Sequence, residues 1–258
     1  MLMTDHDEEL FRLQETLYES SNPTRRWLHC SRRDWIIAAI NRWGAGAKRA
    51  LEVGPGSGVY LPTLATVATE VVAIDIEDAY LDRLRPLERE YTNLLLEHDD
   101  ILESSYSDEY FDLILCSEVI EHIDDSRRAL AEMRRLLSPS GVLIISTPQK
   151  YSPLEFCSKL AFLPGIIDVV RWIYKEPILE TGHINLMTKQ MLGDQLEQAR
   201  FAIVETRTSG VYIPVVAESL SHRAVRIEQA LERLVQDTRF DGFLHAQFAI
   251  ATVATDPE

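Results

Sequence analysis

The residues best suited to chemistry lie in a glycine-rich loop, which follows a short apolar run at 50–53. Glycine permits a sharp turn and lets a ligand approach the backbone, and the next helix offers free N–H groups at its start. In a dinucleotide-binding loop, G-x-G-x-x-G, the last glycine would fall at position 59, which is Val59. This loop instead has the form E-x-G-x-G-x-G, built from Glu52, Gly54, Gly56 and Gly58.

Acidic residues recur at the ends of the next two predicted strands. Asp75 ends the run EVVAID about 20 positions after the loop, where a carboxylate typically accepts hydrogen bonds from two ribose hydroxyls. Glu77 is the alternative for this role. Asp100, followed by Ile101, comes after the third predicted strand, and Asp99 replaces it if the register slips by one. Open α/β sheets bind ligands at the carboxyl ends of their strands, so these acids are predicted to face one ligand.

The loop resembles the first motif of the class I S-adenosylmethionine-dependent methyltransferases. The resemblance continues through FDLILCSEVIEHI at 111–123 and on to Pro148, so that it covers roughly residues 48–150. This part is similar to methyltransferases that act on small molecules, including quinone precursors. A weaker match at 182–201 departs from the family at Arg200, where glycine usually precedes the phenylalanine.

The resemblance implies S-adenosylmethionine as the cofactor and assigns a contact to each motif. The loop passes beside the methionine moiety, whose ammonium makes an acid such as Glu52 useful. Ribose contacts fall to Asp75 with Ile76, adenine contacts to Asp100 with Ile101, and methionine or substrate contacts to Ser117.

Two histidines compete as a general base for the acceptor. Methyl transfer to oxygen or nitrogen requires alignment of the nucleophile and can require removal of a proton, for which histidine is suited near neutral pH. His122 lies within the family's E-x-x-E-H segment, and His183 lies in TGHIN, a loop after a variable region. Either could instead be structural, and the remaining histidines lack comparable sequence context.

Apolar strands alternate with amphipathic helices from residue 50 onward, which predicts right-handed βαβ crossovers and a parallel sheet buried on both faces. Together with the resemblance, this predicts an α/β, Rossmann-like three-layer sandwich, whose mostly parallel seven-stranded sheet includes one antiparallel strand. Ser31 is predicted to cap a helix that runs from Arg32 to Trp43.

The chain is predicted to divide into an N-terminal helical cap at 1–46 and a cofactor-binding domain at 47–258. A helical insert at 149–187, after the fifth strand, has no strand pattern and is longer than an ordinary connection. Its apolar residues favour either a lid over the core or a pocket for a lipid-like acceptor, and its basic residues could contact a membrane surface.

The amino-acid composition limits the kinds of partner, metal site and cellular compartment that the chain is expected to have. The formal charge of −15 disfavours nucleic acid. The three cysteines, Cys30, Cys116 and Cys157, match no zinc-ligand spacing, so that no metal is predicted, and they suit a reducing cytoplasm. No stretch is apolar enough for a transmembrane segment. The sequence leaves the oligomeric state open.

These features favour methyl transfer to a small or lipid-like acceptor, with oxygen as the preferred attacking atom. A nicotinamide-dependent oxidoreductase is the alternative enzyme, although the glycine spacing and the lack of a Tyr-x-x-x-Lys pair disfavour it. A non-catalytic binding subunit with the same fold is the third hypothesis.

Overall fold

A seven-stranded sheet forms the centre of the computed structural model, which describes residues 16–155, 183–213, 216–217, 220 and 222–254. The strands lie in the order β3-β2-β1-β4-β5-β7-β6. All neighbours pair in parallel except β7, which is antiparallel to both β5 and β6. The predicted Rossmann-like sheet with one antiparallel strand is therefore confirmed. The strands are β1 (Arg49–Val53), β2 (Glu70–Asp75), β3 (Leu94–His98), β4 (Phe111–Ser117), β5 (Leu137–Pro148), β6 (Phe201–Ser209) and β7 (Ala246–Val253).

Helices connect these strands and flank the sheet. They are α1 (Pro23–Trp43), α2 (Leu61–Val67), α3 (Asp78–Glu90), α4 (Ser126–Leu136), α5 (Lys189–Gln198) and α6 (His222–Val235). The inner strands β1 and β4 are buried along nearly their whole length, and two apolar clusters cover the two faces of the sheet. This double burial explains why the strand sequences are almost continuously apolar.

The first long helix begins earlier than the sequence predicted. The side chain of Asn22 accepts hydrogen bonds from the backbone N–H groups of Thr24 and Arg25, and Pro23 occupies the first turn. Ser31 is therefore an internal residue of α1 and not its cap. Asparagine and proline together are a stronger start signal than serine alone.

The helix α1 packs against α2, β5 and α6, so that it lies over the same sheet that carries the loops. The division into a cap at 1–46 and a domain at 47–258 stays a prediction. Most of the predicted insert, residues 156–182, lies outside the described residues, as do residues 1–15. Among the described helices, none is long and apolar enough to cross a membrane.

Candidate active site

The glycine loop after β1 adopts a backbone that ordinary residues rarely reach. Gly54, Gly56 and Gly58 all have positive φ, between 52° and 72°. A Cβ at Gly54 would lie 2.6 Å from Cγ2 of Val119, and a Cβ at Gly58 would lie 2.7 Å from Cδ2 of Leu84. The loop therefore requires glycine both for its backbone angles and for its close approach to neighbouring elements.

The carboxylate of Glu52 is buried at the end of β1, next to this loop. Its Oε2 atom has no hydrogen-bond partner, and burial raises the pKa of Glu52 to about 8. A buried carboxyl without a partner is costly unless a cation or donor joins it. The site thus fits the ammonium of a methionine moiety, which would supply both.

Asp75 stands at the carboxyl end of β2, where burial raises its pKa to about 6. Its Oδ1 atom accepts a hydrogen bond of 2.9 Å from the backbone N–H of Glu77. This contact turns the chain into α3 and leaves Oδ2 available. The next side chain, Ile76, is 59% exposed, an unusual state for isoleucine that a ligand's adenosyl group would relieve.

The two candidate acids after β3 have different environments. Asp99 is engaged within the protein, because its Oδ2 accepts from Ser104 Oγ at 2.7 Å and from the backbone N–H of Ser105. Asp100 is exposed and uses Oδ1 to accept from the backbone N–H of Leu102. Asp100 therefore retains an oxygen for a ligand amino group, whereas Asp99 holds the loop in place. Ile101 is buried beneath this loop.

A strained turn follows β4. Ser117 Oγ lies 3.0 Å from Ser146 Oγ of β5, and Glu118 has a positive φ of 57°. The Glu118 backbone N–H donates to the Ser146 carbonyl, and its Oε1 accepts from Ser146 Oγ at 3.0 Å. A non-glycine residue with positive φ is costly and concentrates at functional sites. The turn directs the Glu118 carboxylate away from the strand and towards α1.

Arg32 of α1 meets that carboxylate in a mostly buried ion pair. Its Nη1 atom lies 2.5 Å from Glu118 Oε2. Although burial alone would lower it, the charge of Glu118 leaves the pKa of Arg32 raised above its ordinary value. His29, one turn earlier, has Nδ1 3.4 Å from Arg32 Nη2, and desolvation and the Arg32 charge lower the pKa of His29. The helix α1 thus brings a cation and a neutral imidazole to the end of β4.

His183 is held by a carboxylate. Its Nδ1 atom lies 3.3 Å from Oε1 and 3.4 Å from Oε2 of Glu155, which is itself buried. A carboxylate on Nδ1 fixes the ring and favours the tautomer whose Nε2 can accept a proton. The His183 ring also contacts the ring of His122 edge to face, with centroids 5.2 Å apart.

These two histidines and Glu121 form the group of described residues that could hold a metal ion. One ligand atom from each lies within 4.8 Å of the others. A carboxylate with two imidazoles is a donor set that several divalent metals accept. Burial, and next the charge of Glu118, raise the pKa of Glu121, whose Oε2 accepts from Thr147 Oγ1 at 2.9 Å. Both causes oppose the charged form of Glu121, which is the form that a bound cation would need.

His245 completes this polar region, although its sequence context gave no reason to select it. It is buried just before β7, its Nδ1 atom has no partner, and burial lowers its pKa. The charges of Glu118, Glu155 and His183 all act on it. The sequence analysis also did not select Arg32, His29 or Glu155. For Arg32 the one available signal was its position four residues before the apolar Ile36, on the same face of the helix.

The structure thus forms two adjoining groups at the carboxyl edge of the sheet. The first group, which we call the cofactor half, contains Glu52, Gly54, Gly56, Gly58, Asp75 and Asp100. The second, which we call the acceptor half, contains His29, Arg32, Glu118, Glu155, His183 and His245. Ser117 joins the two halves at the end of β4.

Comparisons with known proteins agree with this architecture. Residues 25–206 match the model of a family described as methyltransferase domain. A probable S-adenosylmethionine-dependent methyltransferase of Mycolicibacterium smegmatis is 28% identical over 208 residues, which are 80% of this chain and 71% of the relative. A ubiquinone biosynthesis O-methyltransferase of Alkalilimnicola ehrlichii is 34% identical over 119 residues, which are 45% of this chain and 47% of that protein.

Solved structures agree in fold. The N-methyltransferase NodS of Bradyrhizobium japonicum, in complex with S-adenosyl-L-homocysteine, superimposes with a TM-score of 0.57 at 17% identity. The superposition covers 97% of this chain and all of NodS. The family match spans most of the chain, and the buried Glu52 and the glycine cradle suit the cofactor of that family. The chain therefore belongs to the methyltransferase domain family and is an S-adenosylmethionine-dependent methyltransferase.

Proposed function

We propose that this methyltransferase methylates a hydroxyl oxygen of a small or lipid-like acceptor. The observation that carries the proposal is the Glu155–His183 pair, which places a carboxylate-supported imidazole beside the turn after β4. Hydroxyl acceptors gain nucleophilicity when a base removes their proton, and a histidine oriented in this way is suited to that step near neutral pH. The names of the ubiquinone biosynthesis relatives support the same acceptor class.

The cofactor half would hold S-adenosylmethionine by complementary charge and shape. Glu52 offers a buried carboxylate to the ammonium, and Asp75 offers Oδ2 to the ribose hydroxyls, with Ile76 against the adenosyl group. Asp100 would accept from the adenine amino group, and Ile101 supports its loop. When bound, the cofactor supplies a methyl group on a cationic sulfonium, which is open to in-line attack.

The acceptor half would bind the hydroxyl-bearing end of the acceptor. The Arg32–Glu118 ion pair fixes α1 against the end of β4, so that an acceptor there lies close to Ser117. Alignment of the two reacting atoms provides most of the rate gain in such a displacement. His183 would take the hydroxyl proton through Nε2, and Glu155 would stabilise the resulting imidazolium. His122, which is exposed and contacts the His183 ring edge to face, is the alternative base.

Calorimetry and product analysis test the proposal. The wild-type protein should bind S-adenosylmethionine and not NADH. Asp75→Ala should weaken cofactor binding by about 100-fold, because it removes hydrogen bonds to a charged acceptor, each worth about 1.5–3 kcal/mol. Asp78→Ala is the matched control, since Asp78 begins α3 nearby and is largely exposed. Unchanged binding in Asp75→Ala would contradict the ribose assignment.

The acceptor is tested by release of S-adenosylhomocysteine from hydroxylated aromatic compounds, with and without prenyl chains. With a cofactor whose methyl group is isotopically labelled, we expect a product that carries the labelled methyl group on oxygen. Mass spectrometry and NMR would show its position. A label on nitrogen or carbon would contradict O-methylation. Cofactor binding without turnover on any acceptor class would favour the non-catalytic binding subunit.

A further inference from the structure

The outer face of α6 is unusual in this acidic chain. It exposes three arginines, two large aliphatic residues and one alanine in one continuous band, which we call the α6 stripe: Arg223, Arg226, Ile227, Ala230, Arg233 and Leu234. Ile227 and Leu234 are 43% and 76% exposed. They are seven residues apart, as are Arg226 and Arg233, so each pair lies on one line along the helix.

Both carboxylates of α6 are directed inward, and this fixes the helix in its orientation. Glu228 is buried and accepts from the backbone N–H of Ile213 at 2.8 Å. Glu232 is buried, and the backbone of Gly210 lies beside its carboxylate. Because the two acids are used inside, the exposed face of α6 carries positive charge alone, although the whole chain has a formal charge of −15.

Two exposed aromatic residues follow α6 in the sequence. Phe240 and Phe243 are both about half exposed, and the Arg239 guanidinium lies 4.7 Å from the centroid of the Phe240 ring. Arginines beside exposed aliphatic and aromatic side chains are typical of helices that lie in a membrane interface. There the apolar groups enter the acyl boundary, and the cations meet lipid phosphates.

We propose that the α6 stripe docks the protein on an anionic membrane surface. A second copy of the chain fits less well, because a symmetric pairing of two stripes would set arginine against arginine. Nucleic acid also fits less well, because Ile227, Leu234 and the two phenylalanines would stay exposed on a phosphate backbone. The stripe is a basic patch on a chain with a formal charge of −15, so this charge asymmetry would orient the docked enzyme.

The proposal rests on α6 alone and not on the identity of the methyl acceptor. Docking would nevertheless bring a lipid-like acceptor within reach of the enzyme, because α6 packs against α1, the helix that supplies Arg32 and His29.

Flotation with vesicles tests the docking. The full chain should bind vesicles of phosphatidylglycerol and phosphatidylcholine, release at high salt, and bind pure phosphatidylcholine weakly. The double variant Arg226→Glu/Arg233→Glu should lower the partition coefficient at least about tenfold, since each basic residue near an anionic surface contributes about 1 kcal/mol. Leu234→Ser should lower it less and at all salt concentrations. The single variant Arg233→Glu has Arg127→Glu, at an exposed position of α4, as its charge-matched control, which should bind like the wild type.

Three results would overturn the proposal. The first is absence of binding to anionic vesicles by the wild type, and the second is equal binding by the double variant. The third is evidence for another partner of the stripe in a protein that does not bind vesicles. This evidence would be either a dimer in sedimentation that Leu234→Ser dissociates or binding to duplex DNA. All variants should bind S-adenosylmethionine like the wild type, which separates a failure of docking from a failure of the methyltransferase site.

Discussion

The cofactor half and the acceptor half occupy the same edge of one sheet, yet they are built differently. Each carboxylate of the cofactor half lies on or directly after its own strand, and Glu52, Asp75 and Asp100 have no cationic partner among the described residues. The acceptor half already contains one ion pair, Arg32 with Glu118, and one hydrogen-bonded pair, His183 with Glu155. We therefore expect the cofactor half to gain its charge balance from a ligand, whereas the acceptor half has much of its own.

This difference predicts opposite responses to mutation. Loss of a charge in the acceptor half should leave a buried partner unpaired and should lower both stability and turnover. Loss of a charge in the cofactor half should lower cofactor affinity and can even stabilise the free protein. Three predictions test this contrast, and they follow from the largest expected effect to the smallest.

The largest effect should come from the imidazole of His183. His183→Gln should lower kcat by about 10²–10⁴-fold, because the general base is lost, while cofactor affinity stays within about twofold. His122→Gln should lower kcat far less, since Glu155 orients His183 and not His122. Glu155→Gln should give an intermediate loss together with a displaced pH–rate profile.

Two results would contradict the role of His183 as base. One is turnover that survives in His183→Gln and disappears in His122→Gln. The other is turnover that a chelator abolishes and a divalent cation restores, since the cluster of Glu121, His122 and His183 would then act through a metal.

The second effect concerns the ion pair that fixes α1. Arg32→Met should lower the free energy of unfolding by about 2–3 kcal/mol, below the loss for a fully buried pair because both side chains retain some exposure. Chemical denaturation of Arg32→Met, Glu118→Gln and the double variant forms the test. The double variant should lose less than the sum of the two single losses. Additive losses would mean that the two side chains do not interact.

The two halves also differ in what the sequence could predict. The cofactor half could be predicted from the sequence, because each of its residues lies in one βα loop or at the end of one strand. The spacing of E-x-G-x-G-x-G also distinguishes its glycine loop from a dinucleotide-binding loop. The sheet was predictable for the same reason, since strands buried on both faces are continuously apolar. The seven strands and the presence of one antiparallel strand agree with the prediction, which gave no strand order.

The acceptor half could not be predicted from the sequence, because its residues come from distant segments that only the tertiary fold brings together. Arg32 was assigned to the first turn of a helix that in fact begins at Pro23, so its position over β4 was not foreseen. His245 precedes β7 and Glu155 follows β5, and neither residue belongs to a sequence motif. The roles of His122 and His183 stay predictions.

The smallest effect should come from Glu52, and it tests the contrast most directly. Its pKa is raised from 4.5 to about 8 by burial, so the folded protein retains a proton that the unfolded chain releases. This group therefore favours folding fully below pH 4.5, and its contribution declines as the pH rises through about 8. Glu52→Gln removes this dependence and should raise the free energy of unfolding of the free protein at pH 8 by about 1–2 kcal/mol, or roughly 3–6 °C in Tm.

The same substitution should weaken S-adenosylmethionine binding by about tenfold, because the ammonium loses a charged partner. Scanning calorimetry across this pH range, with and without cofactor, measures both effects, and Glu90→Gln at an exposed position of α3 serves as the control. A variant that is less stable than the wild type at pH 8 would mean that Glu52 has a partner within the protein. That result would contradict the contrast between the two halves, in which the cofactor half lacks a charge partner until a ligand binds and the acceptor half contains its own.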